Sequence, residues 1–176
     1  MINRIRFVAA AIAALAITAP AQADLPEGAK APVFTTKAAM AGKEFGFSLA
    51  TALKQGPVVL YFYPKAFTSG CTLEANAFAE AMPKFIAEGA SVIGMSHDDI
   101  EALKRFSREE CRDAFPVGVA SLDLMEDYDV GGPSSPYASR TSYVIAQDGT
   151  ISTVYSSGDY REHVGRTLAA VKNLAK

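Results

Sequence analysis

The chain has 176 residues, of which 49% are hydrophobic, 20% charged and 10% aromatic, and its formal net charge is −2. This composition is typical of a globular protein with a single domain and excludes a disordered or collagen-like chain. The charge also excludes a surface built for nucleic acid or anionic membranes, because both require concentrated Lys and Arg.

The amino-terminal segment has the pattern of an export signal. Two arginines precede an apolar run over residues 7–19, and the small-x-small sequence Ala21-Gln22-Ala23 follows it. This pattern predicts a secretory signal peptide over residues 1–23, cleavage before Asp24 and export, most simply to the periplasm. A membrane anchor is the alternative, but about 13 apolar residues are fewer than the roughly 20 that a membrane span requires.

The remaining residues, 24–176, are predicted to form one domain. Cleavage would remove two of the 17 basic residues and none of the 19 acidic ones, so the net charge would fall from −2 to −4. A chain of this length buries roughly 70% of its unfolded surface, which is enough for a self-sufficient core.

The first half of this domain contains the most clearly predicted strand. Residues 24–30 are a polar lead-in, 31–35 a short extended segment and 48–54 a short helix. Val58–Tyr63 is a continuous β-branched and aromatic run that ends at Pro64. Such a run predicts a strand that is buried on both faces, as at the centre of a sheet covered by helices.

A helical pattern then opens around Cys71. Pro83 within it predicts a kink or a restart, because proline removes a hydrogen bond and clashes with the preceding turn. The residues expected on the apolar face of this helix are Phe78, Met82, Phe85 and Ile86.

The second half of the domain alternates between strands and helices. Ser96 is a plausible helix cap, and Asp148-Gly149 closes a predicted hairpin. The predicted strands are 90–95, 116–120, 141–146 and 150–155, and the predicted helices are 98–112, 122–128 and 160–174. This order predicts an α/β fold, a three-layer α/β/α sandwich with a mixed central sheet, and the N-terminal segments make it a thioredoxin-like fold with an N-terminal extension.

Cys71 is the strongest candidate for a reactive group. It follows the predicted central strand and opens a helix, and ligands bind at this end of the strands in open α/β sheets. The helix dipole there favours a thiolate. The alternative is a structural disulfide with Cys111 in an oxidising compartment, which would close a loop of about 40 residues and contribute roughly 4 kcal/mol.

The segment from Tyr61 to Ala75 resembles the active site of peroxiredoxins, which are thiol-dependent peroxidases with a thioredoxin-like fold. Pro64, Thr68 and Cys71 match the Pro-x-x-x-Thr-x-x-Cys motif of that family. The most similar branch is that of the bacterioferritin comigratory protein, or peroxiredoxin Q, and the resemblance extends from about residue 26 to the last helix.

The resemblance implies a role for each motif residue. Cys71 would be the peroxidatic nucleophile and would become a sulfenic acid. Thr68 and Arg140 would bind the peroxide, Pro64 would shield the thiolate from water, and Phe67 would contribute to the substrate site. The alternatives are that Thr68 only caps the helix and that Arg140 is an ordinary surface arginine.

Four further residues lie near the motif or have side chains that can bind metals. Glu74 lies one turn after Cys71 and either bonds Arg140 or is a solvated carboxylate. His97 and His163 lack the spacing of a metal site, so no role, metal or cofactor is assigned to them. Ser69 stands where many family members have proline, which predicts a change in loop rigidity.

Cys111 is the candidate resolving cysteine that the resemblance implies. The nearer family position, residue 76, is asparagine. Bonding of Cys111 to Cys71 would require local unwinding, because the two Cα atoms must come within about 7 Å. A buried bystander thiol and a one-cysteine mechanism remain alternatives.

The resemblance also implies the partners. The substrate would be hydrogen peroxide or an organic hydroperoxide, bound beside Phe62, Tyr63 and Phe67. The reductant would be a thioredoxin-like protein or another thiol. The protein would be a monomer or a weak dimer.

Two other functions remain open. A periplasmic thiol-disulfide oxidoreductase would need Cys-x-x-Cys where Cys71-Thr72-Leu73-Glu74 stands, and a non-catalytic binding domain would need only a structural disulfide.

Overall fold

A computed structural model describes residues 24–174, so the predicted export signal lies outside the described residues. The strands are β1 (Thr35–Met40), β2 (Lys43–Ser48), β3 (Val58–Phe62), β4 (Ser91–Ser96), β5 (Val117–Val119), β6 (Thr141–Ile145) and β7 (Ile151–Ser156). The helices are α1 (Leu49–Leu53), α2 (Ser69–Ala87), α3 (Ile100–Glu109), α4 (Leu122–Asp127), a 3₁₀ turn (Tyr160–Glu162) and α5 (His163–Leu174).

The seven strands form one mixed sheet in the order β2-β1-β5-β4-β3-β6-β7. Strand β3 pairs in parallel with β4 and antiparallel with β6, and all five of its residues are buried. Helices α2, α3 and α5 contribute to the core on one face, and α1 and α4 contribute to the core on the other. The predicted three-layer α/β/α architecture and thioredoxin-like fold are therefore confirmed.

The N-terminal hairpin was not predicted. Residues 36–47, to which the sequence assigned no element, form most of β1 and β2, and the extended segment expected at 31–35 overlaps β1 at Thr35 alone. Strand β1 adds the hairpin to the sheet by pairing with β5. Strand β2 is mostly exposed, and its alternation is limited to Phe45 and Phe47 on either side of Gly46, which is too short to indicate a strand. The turn between the strands is tight, with positive φ at Ala41 and Gly42.

The structure differs from three local predictions about helices. Helix α2 runs through Pro83 as one element, so the restart expected as one possibility does not occur. Ile86, expected on the apolar face, is 64% exposed. The cap of α3 is Asp99, whose side chain accepts a hydrogen bond from the backbone N–H of Ala102 (2.8 Å). Ser96 ends β4 instead.

The register of the sheet brings several chain segments to one edge. Phe62, the last residue of β3, pairs with Met95 near the end of β4 and with Thr141 at the start of β6. Thr141 also pairs with Ser156 at the end of β7. The loop after β3, the loop after β4, the residue before β6 and the turn before α5 therefore meet at this edge. Within residues 24–174 no helix is long and apolar enough to cross a membrane.

Candidate active site

Cys71 lies in the first turn of α2, at the sheet edge where β3 ends. It is the third residue of the helix and is only 2% exposed. The first backbone N–H groups of a helix have no partner within it, and they point toward negative charge. The sequence places the cysteine here because the apolar run of β3 ends at Pro64 and the helix begins five residues later.

Arg140 is brought to Cys71 from the other side of the edge. Its Nη2 lies 3.4 Å from the Sγ of Cys71, and its Nη1 donates a hydrogen bond to Oε2 of Glu74. The arginine directly precedes β6, whose first residue pairs with the last residue of β3. Only 8% of its side chain is exposed, so the interpretation as a surface arginine is wrong.

Glu74 is a buried member of the same group. It follows Cys71 by three residues, which puts both side chains on one face of α2, and its side chain has no exposed surface. Burial raises the pKa of its carboxyl from 4.5 to about 7, although the Arg140 guanidinium acts in the opposite direction. The alternative of a solvated carboxylate is therefore wrong.

The loop before α2 places the Thr68 hydroxyl near the helix start. This residue is the N-cap of α2, but its side chain makes no cap hydrogen bond. Its Oγ1 donates instead to the backbone carbonyl of Lys65 (2.9 Å). Since a hydroxyl oxygen also accepts hydrogen bonds, Thr68 presents acceptor lone pairs beside the helix.

Asp98 anchors this loop and was missed by sequence reasoning. Its Oδ2 accepts hydrogen bonds from the backbone N–H of Ala66 (2.7 Å) and the hydroxyl of Ser96 (2.8 Å). A single carboxylate after β4 thus ties down the loop after β3. Nothing in the local sequence indicates this role, because Ala66, the loop residue that Asp98 binds, lies 32 residues away in the chain.

The residues that the sequence predicted to lie around the substrate do not all lie on the Cys71 side of the sheet. Phe67 has a left-handed backbone (φ 63°), is 39% exposed and packs edge-on against Phe106, with ring centroids 5.2 Å apart. Pro64 is partly buried at the start of the loop. Tyr63 belongs to the core cluster of Cys71, whereas Phe62 belongs to the cluster on the opposite face of the sheet, so its expected place beside the peroxide is wrong.

Cys111 is a buried free thiol, as is Cys71, and both belong to one core cluster. Cys111 lies in the turn after α3, and burial, followed by the charges of Glu110 and Asp113, raises the pKa of its thiol. This turn contacts α2, because Nδ2 of Asn76 donates to Oε2 of Glu110 (3.1 Å).

The sequence assigned no role to His163, but its ring lies next to the Glu74 carboxyl. Its Nδ1 is 3.7 Å from Oε1 of Glu74, and its side chain is fully buried. The only signal in the sequence was a lone histidine at the start of the last helix. His97 is exposed, and its Nδ1 lies 2.8 Å from the carbonyl oxygen of Ala120. Within residues 24–174 no cluster of three His, Cys, Asp or Glu side chains could hold a metal ion.

Comparison with known proteins identifies the family. The model of the AhpC/TSA family matches residues 28–154. The chain belongs to the AhpC/TSA family. Chloroplastic peroxiredoxin Q from Suaeda salsa is 33% identical over 156 residues, which cover 86% of this chain and 70% of that protein. This peroxiredoxin is therefore an oxidoreductase of the peroxidase class, as the motif around Cys71 predicted.

Solved structures agree with this peroxiredoxin assignment. The peroxidoxin BcpB from Mycobacterium tuberculosis is 29% identical, with a TM-score of 0.75 over 84% of this chain and 97% of that one. The bacterioferritin comigratory protein from Xanthomonas campestris is 27% identical, with a TM-score of 0.68 over 80% of this chain and 92% of that one. The predicted branch of the family is thereby confirmed.

The buried carboxyl predicts a specific pH dependence of stability. Because the folded state raises the pKa of Glu74 from 4.5 to about 7, the folded protein binds this proton more tightly than the unfolded chain does. This stabilisation is complete below pH 4.5 and is lost as the pH rises through about 7. The free energy of unfolding of the wild type, relative to Glu74→Gln, is expected to fall over this range in urea titrations.

Glu80 is the matched control, because it is an exposed carboxylate on the same helix. The corresponding difference for Glu80→Gln is expected to stay nearly constant with pH. A constant difference for Glu74→Gln as well would contradict a buried carboxyl that holds its proton.

Proposed function

We propose that this protein reduces hydrogen peroxide and organic hydroperoxides through a sulfenic acid formed on Cys71. The observation that carries the proposal is the contact between Arg140 and Cys71, 3.4 Å from Nη2 to Sγ, at the start of a helix. A fixed cation and the free amides of the helix both stabilise a negative sulfur, which is the nucleophilic form of cysteine.

The reaction transfers one oxygen atom to the sulfur. The Cys71 thiolate attacks the peroxide oxygen that carries the proton, the O–O bond breaks, and hydroxide or alkoxide leaves and takes up a proton. Sulfur is oxidised to the sulfenic acid, and the peroxide is reduced to water or an alcohol. Arg140 already faces the sulfur before substrate binds, so it can stabilise the charge that moves to the leaving oxygen without rearranging.

Thr68 and Pro64 complete the proposed peroxide site. The Thr68 hydroxyl donates to Lys65, and its remaining lone pairs can accept the peroxide O–H. Partly buried Pro64 lacks an N–H group, so it excludes water without competing for the peroxide.

Exposed apolar side chains on the loop and on α2 support organic hydroperoxides as substrates. Phe67 and Leu73 flank Cys71 in the sequence and are 39% and 49% exposed, respectively. The Xanthomonas campestris relative is described for its alkyl peroxide reduction activity. An alkyl group could contact these side chains while its peroxide group binds Arg140.

We infer that Cys111 resolves the sulfenic acid. Asn76 lies five residues after Cys71, about 7.5 Å along the helix axis, and it bonds the residue that precedes Cys111. The turn that holds Cys111 continues through Arg112 and Asp113, two non-glycine residues with positive φ (52° and 57°). Left-handed residues of this kind cost roughly 1 kcal/mol or more each, so local opening of the turn relieves strain.

Resolution then follows ordinary thiol chemistry. The Cys111 sulfur attacks the Cys71 sulfenic acid, an S–S bond forms and water leaves. A dithiol reductant of the thioredoxin type regenerates both thiols and is itself oxidised to a disulfide. After export, that thiol donor must be on the same side of the membrane as this protein. The protein is proposed to act as a monomer or weak dimer.

Intact mass after one equivalent of hydrogen peroxide tests the resolving role. Fully reduced protein is expected to lose two hydrogen atoms, and peptide mapping should place the new bond between Cys71 and Cys111. The variant Cys111→Ser should instead gain one oxygen atom on Cys71, because no internal thiol can displace it. A wild type that also retains the added oxygen would contradict resolution by Cys111, and no change at all would contradict peroxidase chemistry.

The variant Arg140→Lys tests the contact between Arg140 and Cys71 while it conserves the positive charge. A single ammonium cannot hold both Cys71 and Glu74 as the two-pronged guanidinium does. The rate constant of Cys71 oxidation in stopped-flow measurements is expected to fall by about 10²-fold or more. The control Arg161→Lys alters an exposed arginine and should react as the wild type does. An unchanged rate in Arg140→Lys would remove Arg140 from the mechanism.

Residues 1–23 are proposed to direct export and to be removed. Protein recovered from the periplasm of a Gram-negative host is expected to begin at Asp24 in N-terminal sequencing. The variant Ala23→Arg should block cleavage, whereas Gln22→Arg should be processed, because only the outer positions of the small-x-small site require small residues. Uncleaved wild-type protein would contradict the proposal.

A further inference from the structure

One buried oxygen of the active site is left without a hydrogen bond. Oε2 of Glu74 accepts from Arg140, but Oε1 has no hydrogen-bond donor among the described residues, although it is fully buried. The polar atom placed toward it is Nδ1 of His163, at 3.7 Å. A buried carboxylate oxygen without a donor is costly, so its protonation state must depend on this neighbour.

The hydrogen bonds of His163 determine which of its nitrogens carries a proton. Nε2 lies 3.1 Å from the carbonyl oxygen of Ser157, which can only accept, so Nε2 donates. Burial lowers the pKa of the imidazole below 6.5, against the effect of this hydrogen bond, and favours the neutral ring. Nδ1 is then unprotonated, and its single lone pair accepts from the hydroxyl of Ser142 (2.8 Å), so the ring has no N–H to donate to Oε1 of Glu74.

The other charged groups around His163 already have partners. Asp159, before the 3₁₀ turn, is exposed and bound by Arg161, and Arg166 on α5 pairs with Glu162. The remaining titratable neighbours are Tyr155 on β7, whose ring stacks edge-on at 4.7 Å, and Arg140 before β6. Among these described neighbours, Glu74 on α2 is therefore the group whose protonation depends on whether Nδ1 of His163 can donate a hydrogen bond.

We propose that His163 is a positioning residue that keeps the Glu74 carboxyl protonated, because its neutral ring offers no hydrogen-bond donor to Oε1. A protonated Glu74 preserves the positive charge of Arg140 for Cys71. The inference rests on the proposed peroxidase function. While the carboxyl is protonated and the imidazole is neutral, neither group offsets the charge of Arg140. When that proton is lost, the Glu74 carboxylate neutralises Arg140, and the guanidinium then attracts the thiolate and the leaving oxygen less strongly.

The pH profile of Cys71 oxidation by hydrogen peroxide tests this role. In the wild type, the stopped-flow rate constant is expected to decline at and above neutral pH, where the Glu74 carboxyl loses its proton. The amide of His163→Gln can donate to Oε1 and stabilise the carboxylate, so the decline should move to lower pH by on the order of one unit. Glu74→Gln cannot ionise at this position and should lack the decline.

The second histidine provides a matched control. His97→Gln changes an exposed ring that contacts a backbone carbonyl, and it should retain the wild-type profile. An equal loss of rate at every pH in His163→Gln, with the decline unmoved, would show that His163 only packs and would overturn the proposal.

A measurement on the wild-type protein avoids any failure of the variants to fold. The ¹⁵N shifts of His163 in the reduced protein are expected to show a proton on Nε2 and none on Nδ1 near neutral pH, and the Nδ1 shift should change as Glu74 ionises with rising pH. A proton on Nδ1 near neutral pH, or an Nδ1 shift that does not respond to pH there, would overturn the proposal. This readout needs no peroxide, so absence of Cys71 oxidation in the wild type would contradict the proposed peroxidase function while the NMR result still decides the protonation of His163.

Discussion

The Arg140 guanidinium lies between two acidic groups, and the rest of the site depends on this arrangement. One nitrogen faces the Cys71 sulfur and another bonds the buried Glu74 carboxyl. Removing the hydrogen-bond partner of a buried charged group is costly, because the charge is left uncompensated. Each group therefore holds the others in place, and the cation is fixed beside the sulfur before any substrate arrives.

The sheet makes this arrangement possible for residues far apart in the chain. Arg140 follows Cys71 by 69 residues, yet β6 runs antiparallel to β3 and starts where β3 ends. Strand β4, parallel to β3, ends at the same edge and supplies Asp98 to the loop. The strand directions thus determine the chemistry, since a different register would move the arginine away from the helix start.

A structural feature could be predicted from the sequence when the residues that determine it are close together in the chain. Strand β3 was predictable because continuous apolarity needs no partner to be recognised, and Cys71 because a motif surrounds it. The burial of Glu74 beside His163 was not predictable, since the residues are 89 positions apart and each is unremarkable in its own helix. The β1–β2 hairpin was missed for a related reason, because its second strand is mostly exposed and its pairing with β1 is not visible in its own residues.

The roles proposed for the two cysteines place opposite demands on one core. Peroxide attack by Cys71 requires a rigid setting, and the buried contact with Arg140 and the Asp98 anchor provide it. Resolution by Cys111 requires mobility, because a thiol that burial keeps protonated cannot attack a sulfenic acid until it is exposed. The fold separates these demands along α2. Its first turn is held by the buried hydrogen bond between Arg140 and Glu74, whereas the turn of Cys111 is joined to a later part of α2 by partly exposed polar contacts from Asn76 and Glu80. Local opening can therefore release the second cysteine while the first keeps its geometry.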